Sequence, residues 1–593
     1  MSSKILCSVA SCALLFATGI AAAAHLPKGY WGPEQVQPIL EKAITVRLDP
    51  DLSGLQENER VAVNELLAAG ELLHSIYLEQ QHHQALPAFH RLSLQADSDL
   101  RDDLLTLFSL FKGPIASTLE NERVAFLPVD ETVPGKNVYP WGVKAEEMDA
   151  FMQAHPEIEL LGTRTVVKRA TARNLEHNLA ILEKYPLLAT LQPGLRERLQ
   201  ALAKSPGERS FYALPYSIEY ADRLIQAYTH LRRAATAIRK TDTDFAAYLD
   251  NRARDLLSND YESGDASWVT GSFGRLNAQI GSYETYDDEL YGAKSFFSLN
   301  VLVKDAERSR GLDKAIAGIQ EIENALPYSR HRKVRADIPA GVYNVVADFG
   351  QARGTNTATI LPNDANHARK YGRTIILRHN ILTNEELFRD TKAAWDAAVA
   401  GEFADDLTIE AGFQRTLWHE IGHYLGVATD EQGRTLDIAL KSYSDLVEEM
   451  KADLVSLHAG PALEKSGYYS PDELQSLYAD GVRRTLQKVK PRRSQPYQTM
   501  QLMQMNWFLE NGLLSFDAAT GRLHIDYTKY HDVVERLLRE VLAIQSAGDA
   551  KRAGKFVDRY ARWDEDLHGV IAKNLRDASK YRYRLVRYGA LGE

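Results

Sequence analysis

Apolar residues recur at helical spacing over most of this chain. Between residues 52 and 110, positions such as Val61, Leu66, Leu67, Leu72, Leu73 and Ile76 follow the three-to-four-residue repeat that turns one face of a helix towards a core. The same period runs from about residue 173 to 202, where Pro206 and Gly207 then interrupt it, and again from 219 to 256. The pattern then changes. Ala340–Gly350 and residues 373–379 are short, rich in β-branched side chains and bounded by Gly, Pro or Asn, which predicts strands. Helical periodicity returns at Asn384 and continues to about Ala578, interrupted by one predicted strand at 523–527. The pattern predicts an α+β fold, mainly helical, with a small sheet component.

The first residues follow another logic. Lys4 precedes an apolar or small run from 5 to 20, and Ala21 to Ala24 supply small residues for a peptidase. Residues 1–24 therefore read as a cleaved secretory signal, and the mature chain as exported, to the periplasm or the medium. A lipoprotein signal at Cys12 fits less well, because the apolar run continues past that cysteine. Both cysteines, Cys7 and Cys12, fall inside the signal, so any transition metal in the mature chain must be held by His, Asp or Glu. No later run of 18 residues is apolar, which predicts no stable membrane insertion after cleavage.

The 593 residues are 45% hydrophobic and 25% charged, as in an ordinary globular protein, and leave ample chain for large cores. The formal charge of −10 argues against nucleic acid as a partner. There is no GxSxG elbow and no Walker-type phosphate loop. The basic clusters Arg330 to Lys333 and Lys488 to Arg493 read as solvated faces, and His82 and His83 as surface residues.

One segment carries chemistry. Thr416-Leu-Trp-His419-Glu420-Ile-Gly-His423-Tyr-Leu-Gly426 puts two histidines on one helical face, four residues apart, with a carboxylate beside the first. That arrangement presents two imidazoles to one ion and leaves Glu420 placed to take a proton from water. Phe413, Leu417, Ile421 and Tyr424 form a packing stripe, Gly422 permits close approach, and Gly426 reads as a C-cap. A second helical segment, Asp445-Leu-Val-Glu448-Glu449-Met-Lys-Ala-Asp453, offers carboxylates one turn apart. Glu449 suits a third ligand, and Asp453 a carboxylate that orients a ligating histidine through its other ring nitrogen. Two His, one Glu and an open position make a catalytic zinc site, one zinc per chain.

These paired motifs resemble the zinc motifs of the dipeptidyl peptidase III family. Ile280-Gly-Ser-Tyr-Glu-Thr-Tyr-Asp-Asp288, Leu361-Pro-Asn-Asp364 and the stretch from Gly521 to Asp549 extend the likeness, which covers roughly residue 210 to the end. The resemblance implies two lobes flanking a wide cleft, one helical and zinc-bearing, the other containing a small β-barrel. It assigns the metal to Glu449 rather than Glu448, and makes Glu448 and Asp453 supports of the histidines. It implies that Asn363 binds substrate, with Gln279 standing where the family has a tyrosine, Ile360 where it has a second asparagine, and Tyr497 where it has a transition-state histidine. Arg582 matches a substrate-binding arginine. The chain also has one residue fewer between its metal histidines than most dipeptidases of the family.

Taken together, these readings organise the chain as signal 1–24, an N-terminal helical region with part of the lower lobe at 25–300, a strand-rich cleft segment at 301–385 and a helical zinc region at 386–593. The expected activity is hydrolysis of small peptides by zinc-activated water, with Glu420 as general base and Tyr497 stabilising the oxyanion. The altered subsites leave two alternatives open: a zinc hydrolase of a non-peptide amide or ester, and a weakly catalytic peptide-binding protein.

Overall fold

The computed structural model describes residues 26–334, 340–354, 357–362, 365–493 and 495–593. The predicted signal and Asn363 lie outside them.

Two large cores meet at one sheet. Its strands are β1 (Leu276–Ser282), β2 (Phe297–Lys304), β3 (Ala340–Gly350), β4 (Ala358–Leu361) and β5 (Thr374–Arg378), in the order β1-β2-β3-β5-β4. β1, β2 and β3 pair antiparallel, while β5 runs parallel to β3 and antiparallel to β4. Successive side chains of a strand point to opposite faces. Ile376 accordingly joins the N-terminal core, while its neighbours Ile375 and Leu377 join the C-terminal one. The implied barrel is not formed: no pairing among the described residues joins edge strand β1 to edge strand β4. Packing on both faces buries the sheet, so closure is not needed to hide its apolar surface.

In the N-terminal core, α1 (Glu57–Gln81) and α2 (Ala221–Ile238) present Leu66, Leu73 and Ile76, and Leu224, Leu231 and Ile238, all fully or nearly fully buried. The C-terminal core gathers α3 (Ile409–Gly422), α4 (Ser444–His458), α5 (Pro471–Thr485), α6 (Pro496–Glu510) and α7 (Tyr530–Ala547). Every residue of α4 from Met450 to His458 is buried, the mark of a helix surrounded by others rather than laid on a surface. α5 begins at a capping box, Ser470 with Glu473, with Pro471 in its first turn. The predicted strand at 523–527 appears as Arg522–Ile525, paired in a hairpin with Leu514–Asp517. Near the two ends of the described chain, Ala43–Leu48 pairs in parallel with Tyr583–Tyr588. Among the described residues no helix is long and apolar enough to cross a membrane. His82, expected at the surface, is buried: its ring packs edge-on against Trp141 and bonds the Asp130 carbonyl.

Candidate metal centre

The end of α3 and the middle of α4 approach closely at one point. A Cβ on Gly422 would lie 2.8 Å from the Ala452 carbonyl oxygen, so glycine there lets the two backbones meet. Phe413, Leu417 and Ile421 seat α3 in the core, whereas Tyr424 is only partly buried. The helix stops at Gly422, four residues before the expected cap. Gly426 instead takes a left-handed turn at φ +81° and gives its N–H to Glu323 Oε2 at 2.8 Å.

This crossing sets His419 and His423 opposite Glu449. One donor atom from each of the three lies within 4.8 Å of the others. Glu449 Oε2 is 3.2 Å from His419 Nε2 and 3.8 Å from His423 Nε2. A tetrahedral ion with bonds of about 2.1 Å spaces its ligand atoms about 3.4 Å apart, which these separations straddle. Among the described residues Glu449 Oε2 is also buried without a hydrogen-bond partner, an orphan that a cation would satisfy. The other oxygen, Oε1, accepts from the Tyr497 hydroxyl at 2.9 Å. The donor set and this orphan fit zinc.

Each imidazole is held from behind. His419 Nδ1 lies 2.8 Å from Asp453 Oδ1, and His423 Nδ1 lies 3.0 Å from Glu448 Oε1. With Nδ1 donating to a carboxylate, both Nε2 lone pairs point to the shared space. A further layer holds the carboxylates. Asp453 also accepts from Arg415 at 2.7 Å, and Arg415 reaches Asp480 at 2.9 Å. Glu448 accepts from Lys451 at 2.8 Å and from Gln545 at 3.0 Å, while Lys451 donates to the Gly422 and Leu425 carbonyls. Arg415, Lys451, Asp480 and Gln545 do not figure in the sequence reading. Arg415 was open to inference, one turn before His419, and so was Lys451, inside the acidic motif. Gln545, 97 residues from Glu448, gives no local signal.

The charges follow from these contacts. Burial works against a proton on His419, but Asp453 and Glu449 overcome it and raise its pKa to about 9, so a cation that takes the Nε2 lone pair must first displace that proton. Burial likewise opposes charge on Glu448, and Lys451 and His423 overcome it, holding the carboxyl down at about 2. Asp453 is held well below the ordinary carboxylate range, against its burial, by Arg415 and His419. The Tyr497 phenol is pushed far up by burial and by Glu449, so it remains a neutral proton donor.

Glu420, partly buried, follows His419 directly and adds its negative field to both His419 and Tyr497. Tyr497 stands half-exposed in the first turn of α6. From the loop between β1 and β2, Tyr286 is 83% exposed, and its phenol is raised by Glu284, by burial and by Glu449. Gln279 is buried in β1, its amide oxygen accepting from Arg378 at 3.1 Å and Thr359 at 3.2 Å. The Arg582 guanidinium bonds the Leu119 carbonyl and Asn121, on the turn between two short N-terminal strands.

No protein-family model matches the chain. Among curated proteins it is similar to Nudix hydrolase 3 of Arabidopsis thaliana, 24% identical over 569 residues, which covers 88% of this chain and 70% of that one. Among solved structures it is similar to DPP III from Caldithrix abyssi, with a TM-score of 0.79 and 23% identity over 94% of this chain and 99% of that one. It is also similar to dipeptidyl-peptidase III from Corallococcus sp. strain EGB, with a TM-score of 0.70 and 23% identity over 94% and 97%. These likenesses establish that the chain has the dipeptidyl peptidase III fold.

Proposed function

We propose that this chain is an exported zinc peptidase that hydrolyses small peptides at His419, His423 and Glu449, with Glu420 as its general base. The observation that carries the reading is the convergence of three donors, one of them an orphaned carboxylate oxygen, with each histidine backed by its own carboxylate. The fold shared with two dipeptidyl peptidase III structures supports peptide as the substrate class. The signal-like residues 1–24 support export. Residues 386–593 form the catalytic region in this reading.

These three side chains would hold zinc, which would supply a Lewis acid for a carbonyl and for water, whose pKa such an ion brings towards about 7. Asp453 and Glu448 fix the tautomer and direction of the histidines. Glu420 accepts the proton of the attacking water and delivers it to the departing amine nitrogen. Tyr497 bonds Glu449 Oε1, which leaves Oε2 facing the imidazoles. Its hydroxyl hydrogen can rotate to the oxygen on which negative charge develops in the substrate.

The test is hydrolysis of a mixed peptide library by purified protein of measured zinc content, before and after chelation. Cleavage that disappears with the metal and returns with it supports the peptidase. Tight binding without cleavage would favour a peptide-binding role, and turnover confined to esters or non-peptide amides a different hydrolase.

A further inference from the structure

A second His-His-Glu group lies at the far end of α4. His458 occupies the last turn of that helix, while His531 and Glu535, one turn apart, lie on α7. One donor atom from each of the three again falls within 4.8 Å of the others. Glu535 Oε2 is 3.9 Å from His458 Nε2 and 3.8 Å from His531 Nε2. Those gaps are too long for hydrogen bonds and close to the spacing of atoms that share one ion. Arg539 bonds the other oxygen, Oε1, leaving Oε2 turned to both rings, much as Tyr497 does for Glu449. Oxygens of a helix C-terminus carry partial negative charge, which favours a cation beside His458.

We propose that His458, His531 and Glu535 bind a second divalent transition metal ion of the zinc class, which clamps the end of α4 to α7. Two imidazoles and one carboxylate select such an ion over magnesium or calcium, which prefer oxygen-only shells. His531 and Glu535 are partly exposed, at 44% and 33%, so the ion enters from solvent and keeps open positions for water. His458 follows Glu449 by nine residues, about 13 Å along a helix, whereas cooperating metals sit about 4 Å apart. The second ion therefore takes no part in the reaction. It braces α4, which carries Glu449 and Asp453, against α7, whose Gln545 supports Glu448. The site is also the weaker of the two. Among the described residues His531 Nδ1 is buried without a hydrogen-bond partner that would fix that ring's tautomer. Orienting partners are each worth about 10- to 100-fold in metal affinity.

The experiment is a titration of metal-stripped full-length protein with Zn2+ against a chromophoric chelator, repeated with Co2+ to read its visible absorption. Wild type is expected to take up two ions in two classes, the second at least about 100-fold weaker. His531→Ala and Glu535→Gln should each lose only the weaker class, with the cobalt spectrum reduced to one species. Both variants touch a partly exposed rim, and circular dichroism verifies their fold. If one of them misfolds, the other provides the comparison. A single class in wild type up to millimolar metal, or two classes retained in a folded variant, would overturn the proposal. Neither readout depends on peptide hydrolysis, so the proposal stands or falls apart from the activity assigned to the first site.

Discussion

Along α4 the same three donor types converge twice, in different surroundings. At Glu449 both histidines lean on carboxylates, and those carboxylates on Arg415, Lys451 and Gln545. At His458 the carboxylate of Glu535 is directed by Arg539, and among the described residues His531 Nδ1 has no hydrogen-bond partner. The rings there also stack, 5.0 Å apart and 29° from parallel, whereas His419 and His423 meet nearly perpendicular at 86°. Burial and the charges of His531 and Arg539 push the His458 pKa down to about 4, while carboxylates hold that of His419 up at about 9. The difference teaches that donor identity is the smaller part of a metal site. Tautomer and direction, fixed from the next layer, would separate the proposed catalytic centre from the proposed clamp.

The largest expected effect comes from removing ligands. Glu449→Ala and His423→Ala should lose the tight class of zinc and all turnover, yet keep the weak class at His458; elemental analysis and chelator titration check both. Glu448→Ala, by contrast, should retain zinc more weakly, and the reverse result would move the ligand by one residue. Glu420→Gln separates chemistry from metal. Both classes should be unchanged while kcat falls by about 10^3, as expected when a positioned base is lost.

Asp453→Asn moves the tight site towards the weak one. Its zinc affinity should fall about 10- to 100-fold, measured by the same titration. Adding zinc beyond the first equivalent should raise the thermal midpoint of wild type by about 1–2 °C and leave His531→Ala unmoved, as weak binding to the folded state requires. The smallest effect lies on the substrate side. Gln279, which stands where the resemblance implies a tyrosine, is buried with its amide oxygen engaged by Arg378 and Thr359, so on the proposed reading that oxygen is not free to accept from a substrate's ammonium group. Matched free and acetylated peptides should differ by less than about tenfold in kcat/KM, or about 1.4 kcal/mol.

The residues of the candidate metal group could be named from sequence because they sit in short local motifs whose helical spacing fixes their geometry: His419 with His423, Glu449 with Asp453. The long amphipathic helices were legible for the same reason. Strands β1 and β2 were not read as strands although Leu276-Asn-Ala-Gln-Ile280 and Phe297-Ser-Leu-Asn-Val301 alternate apolar and polar residues; their polar side chains are buried as well, so neither face of these strands is a wet one. The pairing of Ala43–Leu48 with Tyr583–Tyr588 spans nearly the whole chain and leaves no local trace. His458 escaped notice because its partners lie more than seventy residues away, although His531 and Glu535 stand at ligand spacing on one helix face. The open sheet in place of a barrel follows from burial on both faces, which a family likeness does not specify.

The central claim is that Glu420 performs general-base chemistry at a zinc held by His419, His423 and Glu449. Its most direct test measures zinc content and peptide hydrolysis on the same preparations of wild type and Glu420→Gln. Equal tight zinc is expected in both, with cleavage by Glu420→Gln about 10^3 slower than by wild type. Cleavage by Glu420→Gln at the wild-type rate, or by wild type stripped of zinc, would contradict it.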